Sequence, residues 1–179
     1  MESVVGYPLD DFLASQTTLS APHFQLVREA LFDDLDHVNE MHARCSLDSR
    51  YARYGAARQA LTPREWRRLC DQANGITVVA APLHNPSRVI AVACLMRTSA
   101  LHMRELGILV EDAWQGKGLG SILTRHMAAL TRTRALDCQV ITATTGSGNQ
   151  RMLSILRGMG ARMSPSRGGT VDALIRMKT

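Results

Sequence analysis

The chain has 179 residues, of which 45% are hydrophobic and 21% are charged, so it suits one globular domain with an ordinary core. Aromatic residues make up only 4% of the chain, which argues against a platform that stacks nucleic-acid bases. The formal charge of +5 comes from basic residues scattered along the chain. We therefore expect no nucleic-acid partner.

The cysteines and histidines show no metal-ligand spacing. The four cysteines are far apart and form no C-x-x-C pair, so we expect reduced core thiols and no metal. No run approaches about 18 apolar residues, and the acidic N-terminus lacks a signal-peptide pattern. The sequence therefore predicts a cytoplasmic protein with no membrane partner. It does not indicate an oligomeric state.

The first part of the chain is predicted to be mainly helical. Residues 1–22 show no sustained period, so we expect an arm or small added element there and a single domain over residues 23–179. Thr62 and Glu65 form a capping box around Pro63, which marks the start of a helix. The predicted elements of this part are a strand over 23–31 and helices over 35–43, 49–60 and 63–72.

The remainder alternates between strand and helix patterns. Predicted strands cover residues 76–81, 88–96, 102–110, 138–143 and 171–177, and predicted helices cover 119–133 and 149–159. Residues 144–148 are expected to form a loop. This order predicts an α/β fold class, with an α+β mixed sheet of about six to seven strands flanked by helices.

A glycine-rich turn lies between the strand over 102–110 and the following helix. It spans Gln115–Gly120, and its three glycines allow positive φ angles and a close approach of a bulky anion to backbone amides. Neither the Walker pattern nor the dinucleotide G-x-G-x-x-G spacing is present. Taken alone, the turn leaves open a phosphate site or a plain strand-to-helix connection.

Two segments resemble the acyl-CoA motifs of the GNAT superfamily of N-acyltransferases. Glu105–Val110 followed by Trp114–Gly120 is similar to the motif Q/R-x-x-G-x-G/A, and Asn149–Met152 with Gly158–Gly160 is similar to the segment that follows it. The motifs are closest to those of bacterial protein-lysine acetyltransferase type domains. The resemblance covers most of residues 24–178 and implies a GNAT-like fold whose sheet is splayed at the acyl-CoA site.

The resemblance implies acetyl-CoA as cosubstrate. Amides of residues 116–121 would bind its pyrophosphate, residues 106–110 would pair with the pantetheine arm, and Asn149 would bond that arm or order its loop. Gly107 is expected to mark a bulge where this strand leaves its neighbour. The implied cofactor-binding residues are Ile108, Leu109, Val110, Gln115, Gly116, Lys117, Gly118, Leu119, Gly120, Ser121 and Asn149.

Acyl transfer to an amine needs a base, because an ammonium with a pKa near about 10.4 must lose a proton before it attacks. The resemblance places a glutamate base at Glu105, and strand alternation puts Glu105, Gly107 and Leu109 on one face. The alternative is a solvated glutamate that pairs with Arg104 or with a neighbouring strand. The tyrosine that serves many relatives as proton donor corresponds to Leu156 here, which leaves Ser154, water or direct loss of the thiolate.

Ser46–Tyr51 resembles an S-x-x-S-x-Y segment that borders the acceptor site in bacterial GNAT proteins. Tyr51 and Tyr54 are therefore candidates for substrate binding, with ordinary helix packing as the alternative. Three functions follow as hypotheses: a protein-lysine acetyltransferase, an acetyltransferase for a small metabolite or antibiotic amine, and a non-catalytic acyl-CoA-binding module. The intact carboxylate of Glu105 disfavours the third.

Overall fold

A computed structural model describes residues 17–19, 25–134 and 136–177. The strands are β1 (Thr17–Leu19), β2 (Gln25–Glu29), β3 (Gly75–Pro82), β4 (Ala91–Arg97), β5 (Met103–Val110), β6 (Val140–Gly146), β7 (Arg162–Met163) and β8 (Thr170–Arg176). The helices are α1 (Leu35–Arg44), α2 (Leu47–Tyr54), α3 (Pro63–Cys70), α4 (Leu119–Thr133) and α5 (Gln150–Gly158), with 3-10 turns at Phe32–Asp34 and Asp112–Trp114.

The described strands form one mixed sheet in the order β1-β2-β3-β4-β5-β6-β8-β7. Only β5 and β6 pair in parallel, and every other neighbouring pair is antiparallel. The predicted α/β class is confirmed. Two short strands that the sequence did not predict, β1 and β7, extend the edges of the sheet. Apart from β1, residues 1–22 lie outside the described residues, and the domain boundary at residue 23 stays a prediction.

Helices cover both faces of the sheet, and each face has its own apolar core. Leu123 and Met127 of α4 and Leu156 of α5 pack on one face. Met41 of α1 and Trp66 of α3 pack on the other. Strand β5 contributes to both cores in alternation, with Leu106 in the first and Leu109 in the second. Residues 105, 107 and 109 therefore share one face, as predicted, and this face is the one that α1–α3 cover.

Several element ends differ from the predicted bounds, and two of the differences have a clear structural cause. Helix α2 stops at Tyr54, six residues early, because Gly55 adopts φ 65° and its amide donates back to Tyr51 O at 2.8 Å. Strand β6 continues to Gly146, through part of the predicted loop, because its antiparallel pairing with β8 extends over its whole length. The capping box of α3 is present, with Thr62 Oγ1 accepting from the Glu65 amide at 3.3 Å.

The expected bulge at Gly107 is wrong. The β4–β5 ladder runs without interruption from Ala91 opposite Val110 to Arg97 opposite Arg104, and Gly107 pairs regularly with Cys94. The presence of glycine at position 107 has another explanation, which is the side chain that packs against it.

None of the described helices combines the length and the apolar character needed to span a membrane.

Candidate active site

Strands β5 and β6 separate partway along their length. Their parallel pairing covers three residue pairs and ends at Glu105 opposite Thr142. Beyond that point β6 keeps its pairing with β8, while β5 keeps its pairing with β4. The backbone edges of residues 106–110 and 143–146 therefore face each other across a gap. This gap is the splay that the family resemblance implied.

A cavity of about 1180 Å³ opens at this gap. Its walls come from α2, the diverging parts of β5 and β6, the glycine-rich turn and α5. The size lies slightly above the usual range for small-molecule sites, which is about 300–1,000 Å³. The cavity can therefore hold a long, bent ligand together with a second molecule.

The glycine-rich turn forms one wall. Gly116 and Gly118 have φ angles of 73° and 85°, and an added Cβ at either position would meet open space. Such angles favour glycine. Gly118 caps α4, whose first turn contains no acidic residue. The unpaired amides at the start of a 15-residue helix, together with the helix dipole, make this wall suitable for a phosphate.

Gly120 is not one of the positive-φ residues, which corrects the expectation for the third glycine. It lies inside α4, and a Cβ there would stand 3.1 Å from Cδ1 of Ile155 on α5. The residue therefore serves the close packing of two helices and not the shape of the turn.

Hydrogen bonds of Gln115 connect the glycine-rich turn to α2 and α5. Its Nε2 donates to Ser49 Oγ at 2.8 Å and to Val110 O at 2.9 Å, while its Oε1 accepts from Arg151 at 2.6 Å. Ser49 Oγ in turn donates to Asp112 at 3.0 Å, which also accepts from the Ser46 amide and hydroxyl. These donors outweigh partial burial and hold the pKa of Asp112 below its usual value.

Asn149 orders the loop at the start of α5. Its Oδ1 accepts from the Met152 amide at 3.2 Å, and its Nδ2 donates to Thr145 Oγ1 at 3.1 Å. The side chain also lines the cavity. Of the two roles expected for Asn149, ordering of the loop is the one that has visible contacts.

The carboxylate of Glu105 is exposed and lines the cavity, at the last residue pair before the strands diverge. Leu156, at the position where many relatives carry a tyrosine, is fully buried in the core. Ser154 is exposed and lines the cavity. The site therefore offers one carboxylate at the point of divergence and one hydroxyl on α5.

The two tyrosines of α2 have different surroundings. Tyr51 is 62% exposed and lines the cavity. Tyr54 does not line it, because its hydroxyl lies 2.8 Å from Nε2 of the fully buried His42. Burial and the charges of neighbouring arginines lower the pKa of His42 to about 4, and burial raises the pKa of Tyr54 to about 12. Both side chains are therefore uncharged at pH 7, and their contact joins α2 to α1.

Arg53 is a cavity residue that the sequence analysis did not identify. It follows Tyr51 by two positions on α2 and is partly buried. The only sequence signal for it is the glycine at position 107 of β5, which we interpreted as a bulge. Glycine in a strand also marks the close approach of another group, and here that group is the guanidinium of Arg53.

The cavity lining includes most of the predicted cofactor-binding residues. They are Ile108, Leu109, Val110, Gln115, Gly116, Gly118, Gly120, Ser121 and Asn149. Lys117 and Leu119 do not line it: the ammonium of Lys117 stands 5.2 Å from the Trp114 ring centre, and Leu119 is buried in the core. Among the described residues, no three His, Cys, Asp or Glu side chains form a cluster that could hold a metal ion.

A family model described as "Acetyltransferase (GNAT) family" matches residues 36–161. The chain belongs to the GNAT acetyltransferase family. This is the family that the motifs at Glu105–Gly120 and Asn149–Gly160 resemble, and its members are acetyltransferases that use acetyl-CoA. The expected enzyme class and cosubstrate are confirmed. A search of curated proteins found no significant match.

Solved GNAT structures share the fold. The GNAT domain of S. lividans PAT has 22% identity and a TM-score of 0.80, with 96% of this chain and 99% of that chain covered. The yncA putative acetyltransferase from Salmonella typhimurium, solved with its cofactor acetyl-CoA, has 17% identity and a TM-score of 0.68, with 86% and 94% covered. The ribosomal-protein-S18-alanine N-acetyltransferase from Escherichia coli has 11% identity and a TM-score of 0.65, with 87% and 96% covered.

The cavity of this GNAT protein fits acetyl-CoA. The open, positive-φ glycines and the amides at the start of α4 suit the phosphates. The free backbone edge of β5 beyond Glu105 can pair with an amide-containing arm. Bound acetyl-CoA supplies an activated acetyl thioester, and the protein supplies the groups that position it and handle protons.

Proposed function

We propose that the protein transfers an acetyl group from acetyl-CoA to a primary amine, with Glu105 as the general base. The observation that carries this proposal is the position of Glu105. Its exposed carboxylate lines the cavity at the residue pair where β5 and β6 separate. A base at this point lies between the edge that suits the pantetheine arm and the wall formed by α2.

Glu105 takes a proton from the incoming ammonium, directly or through a water, because only the neutral amine has a free electron pair. The amine nitrogen then bonds to the carbonyl carbon and releases its second proton to water, and the carbon–sulfur bond breaks; the released proton balances the one that the thiolate takes up. The acetyl group ends on nitrogen, and the electron pair leaves with sulfur. Proximity of the two reactants within one cavity supplies much of the remaining rate enhancement.

The departing thiolate takes a proton from water or from Ser154. Leu156 cannot serve, since it is an apolar side chain within the core. Ser154 is the exposed hydroxyl of α5 in the cavity lining. A CoA thiolate is also stable enough near neutral pH to leave without full protonation, because thiol pKa values lie near about 8.5.

Two acceptor classes are open, a protein lysine and a small amine. The similarity of the motifs to bacterial protein-lysine acetyltransferase type domains supports the first. The guanidinium of Arg53, whose buried Nε has no hydrogen-bond partner, supports the second. A cytoplasmic location stays a prediction.

Substitution of Glu105 by Gln tests the base. We expect kcat to fall about 100- to 10,000-fold, the usual contribution of a general base. The measurement is release of CoA thiol from acetyl-CoA with poly-L-lysine and the twenty amino acids as acceptors. Glu40→Gln, an exposed glutamate of α1 outside the cavity lining, is the matched control and should behave as wild type. Full turnover by Glu105→Gln refutes the assignment.

A further inference from the structure

We infer that Arg53 binds a carboxylate of the acceptor, and that the acceptor is therefore a small, amino-acid-like molecule that carries its amine and its carboxylate close together. This inference rests on the proposed function and extends it from a primary amine to one substrate class. Its basis is a guanidinium in the cavity wall, seated on Gly107 beside Glu105.

The guanidinium of Arg53 lies against Gly107 of β5, and we call this contact the seat of Arg53. A Cβ added at Gly107 would overlap Cζ and NH2 of the Arg53 guanidinium, so any other residue at position 107 would displace it. The strand is regular at this point, and its backbone does not require glycine for its own conformation. The glycine therefore holds the guanidinium against the strand that carries Glu105.

Among the described residues, no carboxylate oxygen lies within 4 Å of the Arg53 guanidinium, and Glu105 acts on its charge only from farther away. Its Nη2 donates to Cys94 Sγ at 2.9 Å, and sulfur is a weak acceptor. Its Nε is buried and has no hydrogen-bond partner. A largely desolvated cation without an ion-pair partner carries a free-energy penalty, which an anionic ligand reduces when it binds the part of the guanidinium that lines the cavity.

Other arginines near Arg53 are already bonded. Arg58 pairs with Glu65, and Arg50 donates to the backbone carbonyls of Ser46 and Arg58. The guanidinium of Arg53 lies 4.9 Å from the Tyr54 ring centre, and the Tyr54 hydroxyl is fixed by His42. Contacts with Tyr54 and Cys94 thus fix the guanidinium of Arg53 on its buried side. Its other side lines the cavity and is available to a ligand.

The two charged groups on this face suit a zwitterion. Glu105 and Gly107 are two residues apart on one face of β5, which separates their Cα atoms by about 7 Å. A bare amine that enters as an ammonium is attracted to Glu105 but repelled by Arg53. An acceptor with a carboxylate near its amine satisfies both groups, and a guanidinium can bind a carboxylate through two parallel hydrogen bonds.

The test compares each of the twenty amino acids with its carboxamide, because the amide removes the negative charge at nearly the same shape; rates are expressed per neutral amine, since the amide also lowers the pKa of the α-amine. We expect the wild-type protein to acetylate at least one amino acid with a kcat/KM about ten- to a hundredfold above that of its carboxamide, the range of a hydrogen bond to a charged group. In Arg53→Gln this preference should disappear, because the KM for the acid rises about ten- to a hundredfold towards that of the carboxamide.

Arg50→Gln is the matched control on the same helix, since Arg50 is outside the cavity lining, and it should keep the preference. If Arg53→Gln does not fold, Arg53→Lys keeps the charge, loses the two-pronged geometry and should show a reduced preference. Equal rates for acids and amides in the wild-type protein would overturn the inference, as would a preference that survives in Arg53→Gln.

Two further outcomes separate this inference from the proposed function. Acetylation of poly-L-lysine alone would overturn the small-molecule acceptor and leave the proposed transfer to amines intact. No transfer to any amine, with acetyl-CoA bound normally, would overturn both.

Discussion

The cleft has two walls that are built in different ways. The cofactor wall, residues 115–121, presents backbone amides at a helix start, and two of its glycines adopt conformations that other residues rarely take. The acceptor wall consists of Tyr51 and Arg53 of α2 with Glu105 and Gly107 of β5, and it presents side chains. We propose that the first wall binds the CoA thioester and that the second selects the molecule that receives the acyl group.

This difference explains why the cofactor wall can be recognised from the sequence and the acceptor wall cannot. A backbone site depends on glycines at set spacing, since those positions need unusual φ angles and open space. A side-chain site depends on where separate elements meet, and one sequence does not contain that information directly. The acceptor wall also rests on a buried titratable pair, His42 and Tyr54, while the cofactor wall contains Lys117 as its only ionisable side chain.

The largest expected effect on stability comes from this buried pair. The pKa of His42 is lowered from 6.5 to about 4, first by burial and then by Arg50, Arg53 and Arg58. Between these pH values the unfolded chain binds more protons than the folded one, so stability falls as the pH falls. The free energy of unfolding should drop by about 3 kcal/mol at most over this window, since each pKa unit corresponds to about 1.4 kcal/mol.

Urea denaturation at pH 7.5 and pH 4.5 measures this loss. His42→Gln keeps a polar partner for Tyr54 but cannot titrate, so its stability should change less between the two pH values. The lowered pKa of His126 acts in the same direction in both proteins and cancels in the comparison. Identical pH dependence of the two proteins would contradict the role of His42.

Gly107→Ala tests the seat of Arg53 in the acceptor wall. The new methyl group would overlap the guanidinium, which ends a flexible side chain and can shift, so we expect the free energy of unfolding to fall by about 1–2 kcal/mol, the lower part of the range for overpacked sites. Gly146→Ala in β6 is the matched stability control, because a Cβ there meets open space and its φ is not positive. Equal stability of the two variants would show that Arg53 is not held against Gly107.

Gly118→Val tests the cofactor wall and has a smaller expected effect. A branched residue at φ 85° is strained and crowds the phosphate region, so the Kd for acetyl-CoA should rise about tenfold, or about 1.4 kcal/mol. Gly168→Val, at φ 57° in a turn outside the cavity lining, carries a similar backbone penalty. Calorimetric titration should show weaker binding in the first variant only. Equal affinities would refute the phosphate site.

The sequence predicted the fold class, the start of α3 and the bounds of α4, because these follow from local periodicity and capping. It also predicted positive φ angles at Gly116 and Gly118, because glycines between a strand and a helix are a local pattern too. It did not predict the extent of β6, which is set by pairing with β8 far along the chain. Arg53 and the pairing of Tyr54 with His42 depend on how α2 packs against β5 and α1, and no local pattern encodes that packing.

We propose that one wall binds acetyl-CoA while Glu105 on the other performs the proton transfer. Turnover of Gly118→Val and Glu105→Gln at saturating acetyl-CoA distinguishes these two roles. We predict that excess acetyl-CoA restores most of the turnover of Gly118→Val, while Glu105→Gln stays at least about 100-fold slower than wild type at every concentration. Recovery of Glu105→Gln at high acetyl-CoA would contradict the claim, because it would place Glu105 in cofactor binding.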